Sequence, residues 1–350
     1  MLIYYNLCDK IHRNFFGGVF MKVADAAPFL HGCIRFEEKD GYAFPRRFTE
    51  KQDGILADRG FIPHSKASAG MRIEFLSHGG KMSFDLFFAP GAGSDFSCIA
   101  LYDNGFCVKR MFESKTDFER HFEFELKQGE KRKITLYLGN LNATGIKNVV
   151  LPEDAEPIKK KIKYLALGDS ITHGYFAINP ALSYANILAD NLNAEIVNQA
   201  IGGDVFCPDN IDPEINFQPD IITVAYGTND WWLYDRNTVD KNTREYFAKL
   251  KNTFPEAKIF VLTPIYRGHE EDVRGAGTLD DVRGIIAENA CGKVIDGLKL
   301  FDRTHGFYAD GEPEEPGLHP NDLGFVLYAQ RLLGEMRPFL GEMFDTSDKI

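Results

Sequence analysis

The stretch YLALGDSITHG, residues 164–174, decides how this chain is read. Apolar residues run without polar alternation into Gly168, the pattern of a strand covered on both faces rather than on one. Asp169 and Ser170 follow directly, where the chain turns toward the next helix. A hydroxyl therefore stands at the carboxyl end of a buried strand.

The pattern recurs downstream in EIVN (195–198), IITVAYG (221–227), KIFVLT (258–263) and KVID (293–296). Helical patterns separate most of these runs. SYANILADNL starts at Ser183 as N-cap, DKNTREYFAKLKNTF begins near Asp240, LDDVRGIIAENA ends at Cys291-Gly292, and NDLGFVLYAQRLLGEM closes the series. Strand and helix in alternation predict an α/β domain over 164–345, with a parallel sheet covered on both faces.

Upstream the period changes to two. In HFEFELKQGEKRKITLYLG, Phe122, Phe124 and Leu126 alternate with Glu123 and Glu125, a polar turn follows, and then Ile134, Leu136 and Leu138. MRIEFLSHGGKMSFDLFFAPGAG likewise gives alternating runs on either side of a His-Gly-Gly turn. Residues 1–152 are thus expected to form an all-β domain, a sandwich or jelly roll with a phenylalanine-rich interior. Nothing in it points to a reaction centre; packing or substrate shaping is its expected role. The Pro- and charge-rich segment 153–163 reads as the linker.

A length of 350 residues suits two domains, and 44% hydrophobic with 26% charged residues is a globular composition. The net charge of −11 argues against nucleic-acid and anionic-membrane partners, which need a basic stripe. No apolar run reaches about 18 residues. Asp9, Lys10, His12 and Arg13 break up any secretory pattern at the start, so a cytoplasmic location is expected. The six cysteines show no metal-ligand spacing and read as reduced thiols.

In open α/β sheets ligands bind beyond the carboxyl ends of the strands. Four polar segments fall there: GDSITHG with Ser170, NQAIGGD with Gly202-Gly203, GTNDWW with Asn229, and GLHPNDLGF with His319. Together they supply what acyl transfer needs. A serine hydroxyl attacks a carbonyl only beside a base, which His319 provides. The tetrahedral oxyanion needs pre-aimed donors, and losing one typically costs about 2.7–4 kcal/mol. The backbone N–H groups of Ser170 and Gly203 and the Asn229 amide suit that task.

In these four blocks, taken in this order, residues 164–333 resemble the SGNH, or GDSL-type, hydrolases. The resemblance implies a flavodoxin-like three-layer fold and ester hydrolysis without metal or cofactor. It also implies Ser170 as nucleophile, Ser170, Gly203 and Asn229 as oxyanion donors, and His319 as base. The N-terminal half looks like the β-sandwich attached to some carbohydrate esterases of this family.

One part is out of place. The family pattern has an aspartate three residues before the histidine, and here that residue is Pro316. Glu315 or Glu314 would reach the imidazole from a shifted position, a backbone carbonyl would orient it as the resemblance to two-residue (Ser-His) esterases suggests, or the site is crippled. Of the carboxylates, Glu315 is the expected orienting acid.

Other polar residues have plainer expected roles. Asp169 ties loop amides, and Asp204 and Asn198 fix the glycine turn. His173 points past Ser170, His305 with Asp302 is a second-choice pair, and HEED (269–272) is a solvated face rather than a metal site. Trp231 and Trp232 are candidates for a sugar-stacking wall or for packing. The expected activity is hydrolysis of short acyl esters, acetylated carbohydrate foremost. A lipase- or thioesterase-type acylhydrolase and a disabled carbohydrate-binding protein are the alternatives. Oligomeric state is not legible.

Overall fold

A computed structural model describes residues 18–21, 26–93, 96–312 and 315–341. The N-terminal region is a sandwich of two antiparallel sheets. One has the order β3 (Arg35–Lys39), β4 (Tyr42–Arg46), β11 (Ala143–Pro152), β6 (Gly80–Ala89), β9 (Phe118–Leu126), with β1 (Gly18–Met21) pairing β11. The other runs β12 (Glu156–Pro157), β5 (Arg72–Ser77), β10 (Arg132–Tyr137), β7 (Ser97–Asp103), β8 (Phe106–Glu113), with β2 (Leu30–His31) pairing β5. The period-two runs were readable, but their partners were not: β5 and β6 flank one turn yet lie in different sheets, as do β9 and β10. Phe75, Phe84, Phe88, Ile134, Leu136 and Ile146 fill the space between.

The segment expected as linker is structured. β12 lies within it and pairs with β5, and the buried Lys160 ammonium pairs with the buried Glu74 carboxylate. Its proline and charges had suggested a tether; Asp154, Glu156 and Lys160 instead find partners in the sandwich.

In the second region five strands are all parallel: β14 (Ala194–Asn198), β13 (Ile162–Gly168), β15 (Ile221–Ala225), β16 (Lys258–Leu262) and β17 (Lys293–Ile295), in that spatial order. By sequence this is 2-1-3-4-5, the doubly wound order whose switch point lies between the first and third strands. Alternate residues of β13 feed opposite faces. Tyr164 and Ala166 pack with helices α4 (Tyr184–Asn191) and α9 (Asp322–Leu340), whereas Leu165 and Leu167 pack with α6 (Arg236–Thr253) and α7 (Leu279–Asn289). Local signals set the helix starts: Thr278 and Asp281 form a capping box, and Asn321 caps α9. α6 begins four residues before the expected start because Asp235, not Asp240, caps it.

The regions are joined through buried polar contacts. Arg47, fully buried just past β4, donates to the carbonyls of Asn198 (2.6 Å), Ala200 (2.7 Å), Ala67 (2.9 Å) and His64 (2.8 Å). Arg72 pairs with Asp190 at 2.8 Å, and His31 with Glu195. Two short helices, α1 (Glu50–Asp58) and α2 (Ile62–Lys66), lean from the sandwich onto the glycine block, where Arg59 pairs with Asp204 at 2.6 Å. Among the described residues no helix is long and apolar enough to cross a membrane. Five cysteines are free thiols; Cys8 lies outside the described residues.

Candidate active site

Ser170 opens the short helix α3 (Ser170–His173) at the end of β13. The Asp169 carboxylate accepts the Ile171 N–H at 3.0 Å, which fixes the strand-to-helix turn. Burial pushes the Asp169 carboxyl up to about 7 despite that bond. Gly168 is required in this turn, since a Cβ there would fall 2.2 Å from Thr172 Oγ1 and 2.7 Å from the Ala225 carbonyl.

The Ser170 hydroxyl donates to His319 Nε2 at 2.8 Å. On the far side of the ring, Nδ1 donates to Asp310 Oδ2 at 2.6 Å, and the other Asp310 oxygen accepts the N–H groups of Leu318 and His319, both at 2.8 Å. A carboxylate on Nδ1 places the proton there and leaves Nε2 free to accept from serine. Burial works to raise the Asp310 pKa, but the hydrogen bonds from His319 and Leu318 outweigh it and hold the carboxyl below its ordinary range.

The carboxylate bonded to the ring is therefore Asp310, where Glu315 had been expected. The chain between Asp310 and His319 doubles back as a hairpin, with β18 (Gly311–Glu312) paired to β19 (Glu315–Pro316). This brings Asp310 beside Gly317, whose N–H donates to the Asp310 carbonyl at 3.1 Å. A Cβ on residue 317 would lie 2.0 Å from Asp310 Oδ1, so only glycine fits. Glu314 and the side chain of Glu315 lie outside the described residues.

Gly203 takes a left-handed conformation, φ 83°, in the turn after β14. Asn198, Asp204 and His173 brace that turn. Asn198 Oδ1 accepts the Ala200 N–H at 3.0 Å, Asp204 Oδ1 accepts the Val205 N–H at 2.8 Å, and His173 Nδ1 accepts the Gly202 N–H at 3.3 Å. His173 is fully buried, and burial holds its pKa well below the ordinary value, so it works as a neutral brace. Asn229, on α5 (Thr228–Leu233) after β15, spends one amide N–H on the Asp204 carbonyl at 2.9 Å and keeps a second.

The tryptophans divide. Trp231 is fully buried with its indole N–H on the Gly277 carbonyl at 2.9 Å, so of the two expected roles it takes packing and offers no stacking face. Trp232 is 53% exposed, with the Arg274 guanidinium 3.5 Å from its ring centre. Glu270 of the HEED run pairs with Arg283 at 2.6 Å and Arg303 at 3.1 Å. Asp302 accepts the Thr304 N–H and pairs with Arg331 at 3.2 Å. Among the described residues, His, Cys, Asp and Glu form no group of three able to hold a metal.

Residues 166–327 match the GDSL-like lipase/acylhydrolase family, and the α/β domain belongs to that family of SGNH-type ester hydrolases. No curated protein matches the chain in sequence. Among solved structures, the salicylyl-acyltransferase SsfX3 from a tetracycline biosynthetic pathway superposes with a TM-score of 0.81 at 16% identity, covering 95% of this chain and 100% of its own. The acetyl xylan esterase Est2A from the rumen bacterium Butyrivibrio proteoclasticus gives 0.62 at 14% identity, covering 93% and 99%. A family two carbohydrate esterase from Clostridium thermocellum, in complex with cellohexaose, gives 0.59 at 19% identity, covering 79% and 94%. These likenesses extend the fold match over both regions of the chain.

Proposed function

We propose that this protein hydrolyses short acyl esters, acetylated carbohydrate foremost, through an acyl-enzyme on Ser170. The observation that carries the reading is the unbroken relay from Ser170 Oγ to His319 Nε2 at 2.8 Å and from His319 Nδ1 to Asp310 Oδ2 at 2.6 Å. As Ser170 Oγ bonds to the ester carbonyl carbon, its proton passes to Nε2, and the imidazolium is held by the Asp310 carboxylate. The N–H groups of Ser170 and Gly203 and the free amide N–H of Asn229 receive the oxyanion. When the intermediate collapses, Nε2–H gives its proton to the departing alcohol. Water, deprotonated by the same nitrogen, then attacks the acyl carbon and releases the acid with Ser170 restored.

The carbohydrate preference is supported by the likeness to an acetyl xylan esterase and to a carbohydrate esterase seen in complex with cellohexaose, and by the half-exposed Trp232 near the asparagine block. The likeness to an acyltransferase over nearly the whole chain favours a second reading, in which an alcohol acceptor replaces water in the deacylation step. Turnover of p-nitrophenyl acetate tests the reading: Ser170→Ala should lower the rate roughly 10⁶-fold. Equal rates in both proteins would defeat it. Product analysis on acetylated xylan with added alcohol then tells hydrolysis from transfer.

A further inference from the structure

The outer face of the first sandwich sheet, turned away from the core, is not uniformly polar. Strand register aligns Glu37 of β3, Phe44 of β4, Gly145 of β11, Phe87 of β6 and Glu119 of β9 in one row across the sheet. The Phe44 and Phe87 rings meet edge to face, 78° apart, with Phe44 lying over Gly145. A Cβ on residue 145 would fall 2.6 Å from Phe44 Cζ, so the glycine is what lets that ring lie across β11. Tyr42, on the same face, completes a triangle whose ring centres are 5.7, 6.4 and 6.5 Å apart.

A cavity of about 580 Å³ opens over these rings, within the size range of small-molecule sites. Four acidic and four basic side chains line it, so it carries no net charge. That balance suits neither a polyanion nor a strongly charged peptide. It does supply donors and acceptors at close spacing around an apolar floor. Lys147 lies 4.1 Å above the Tyr42 ring and pairs with Glu119 at 3.2 Å, which leaves both groups at the wall of the cavity. The Tyr42 hydroxyl is buried beside Glu119 and Lys147 and interacts with both.

We propose that this face binds a neutral carbohydrate chain. The C–H face of a pyranose ring would lie on Phe44 with Phe87 closing its edge, and its hydroxyl groups would meet Glu37, Glu119 and Lys147. Both halves of a sugar's chemistry are matched: the apolar ring face by aromatic area, and the hydroxyl edge by paired charges that can donate and accept. The site lies on the sandwich and stands independently of which ester Ser170 attacks.

Isothermal titration of cellohexaose, xylohexaose, mannohexaose and maltohexaose into the full chain carrying Ser170→Ala tests this. At least one hexaose should bind, and Phe87→Ala should weaken that binding about three- to tenfold. In the chain with Ser170 intact, Phe87→Ala should leave p-nitrophenyl acetate turnover unchanged. Should Phe87→Ala fail to fold, Glu119→Gln on the exposed rim serves with the same expected direction. Silence from all four sugars overturns the proposal, as does binding that the substitution does not weaken. Neither result touches the ester hydrolysis proposed for Ser170, which the turnover assay reads separately.

Discussion

Gly203 and Asn229 sit on a wall that both regions build, whereas His319 and Asp310 hang from a hairpin of the α/β domain alone. The glycine turn is held from the sandwich by Arg47 on the Asn198 and Ala200 carbonyls and by Arg59 on Asp204. From below, His173 holds it, anchored in turn on the Asn140 carbonyl at 3.0 Å. The histidine has one carboxylate, a few backbone bonds, and Phe176 and Tyr175 beside its ring at centre distances of 5.1 and 5.9 Å. The contrast fits the proposed chemistry. Oxyanion donors work best when they do not reorganise as charge develops, whereas a base must serve two oxygens in turn.

The contrast can be broken first on the histidine side. Asp310→Asn should lower kcat about 10⁴-fold, because an amide no longer holds the proton on Nδ1. Glu315→Gln should leave kcat unchanged; a loss with that variant and none with Asp310→Asn would reverse the assignment. On the fixed side, Asn229→Ala should cost about 10²–10³ in kcat with KM nearly constant, since the donor acts on the transition state. A KM effect alone would instead mark Asn229 as a substrate contact.

Arg59→Ala sharpens the comparison further. It removes a brace that touches no substrate, so kcat should fall on the order of tenfold through misplaced donors, and Arg59→Lys should recover part of it. An unchanged kcat would show that the glycine turn holds its shape without the sandwich.

The smallest expected effect is on stability. Burial pushes the Asp230 carboxyl up to about 8, with one oxygen accepting the Phe206 N–H at 3.1 Å and the other without a partner among the described residues. The folded chain thus keeps a proton that the unfolded chain releases. This makes stability fall as pH rises from about 4 and level off above about 8. Asp169 acts in the same direction up to about 7. Urea midpoints at about pH 5 and about pH 8 should differ less in Asp230→Asn than in the unaltered protein. Equal differences would mean that Asp230 is ionised in the fold.

Much of this was legible in the chain itself. The five apolar runs of the α/β domain match its strands to within a residue or two, because a strand buried on both faces leaves little freedom in composition. The serine, glycine, asparagine and histidine segments lie at strand ends or helix starts, as their sequence positions predicted. Two things were not legible. Which sandwich strands pair depends on long-range contacts that a period of two does not encode. The acid was hidden because the expected spacing assumes a direct path from aspartate to histidine. Here a hairpin is inserted between them, and its ends are drawn together at Asp310 and Gly317. The available signal was the Asp-Gly pair at 310–311 together with Gly317, a turn-forming signature at both feet of the loop.

Arg47 has a practical consequence for anyone who would cut this protein into pieces. Its guanidinium is buried, and burial lowers its pKa to about 9, yet it donates to four carbonyls drawn from both regions. An excised C-terminal fragment starting near Ile162 would lose that cation and leave the Asn198 and Ala200 carbonyls open to solvent, next to the turn that presents Gly203. Domain grafting with this scaffold should therefore keep the joint intact and make its exchanges on the far side of the sandwich.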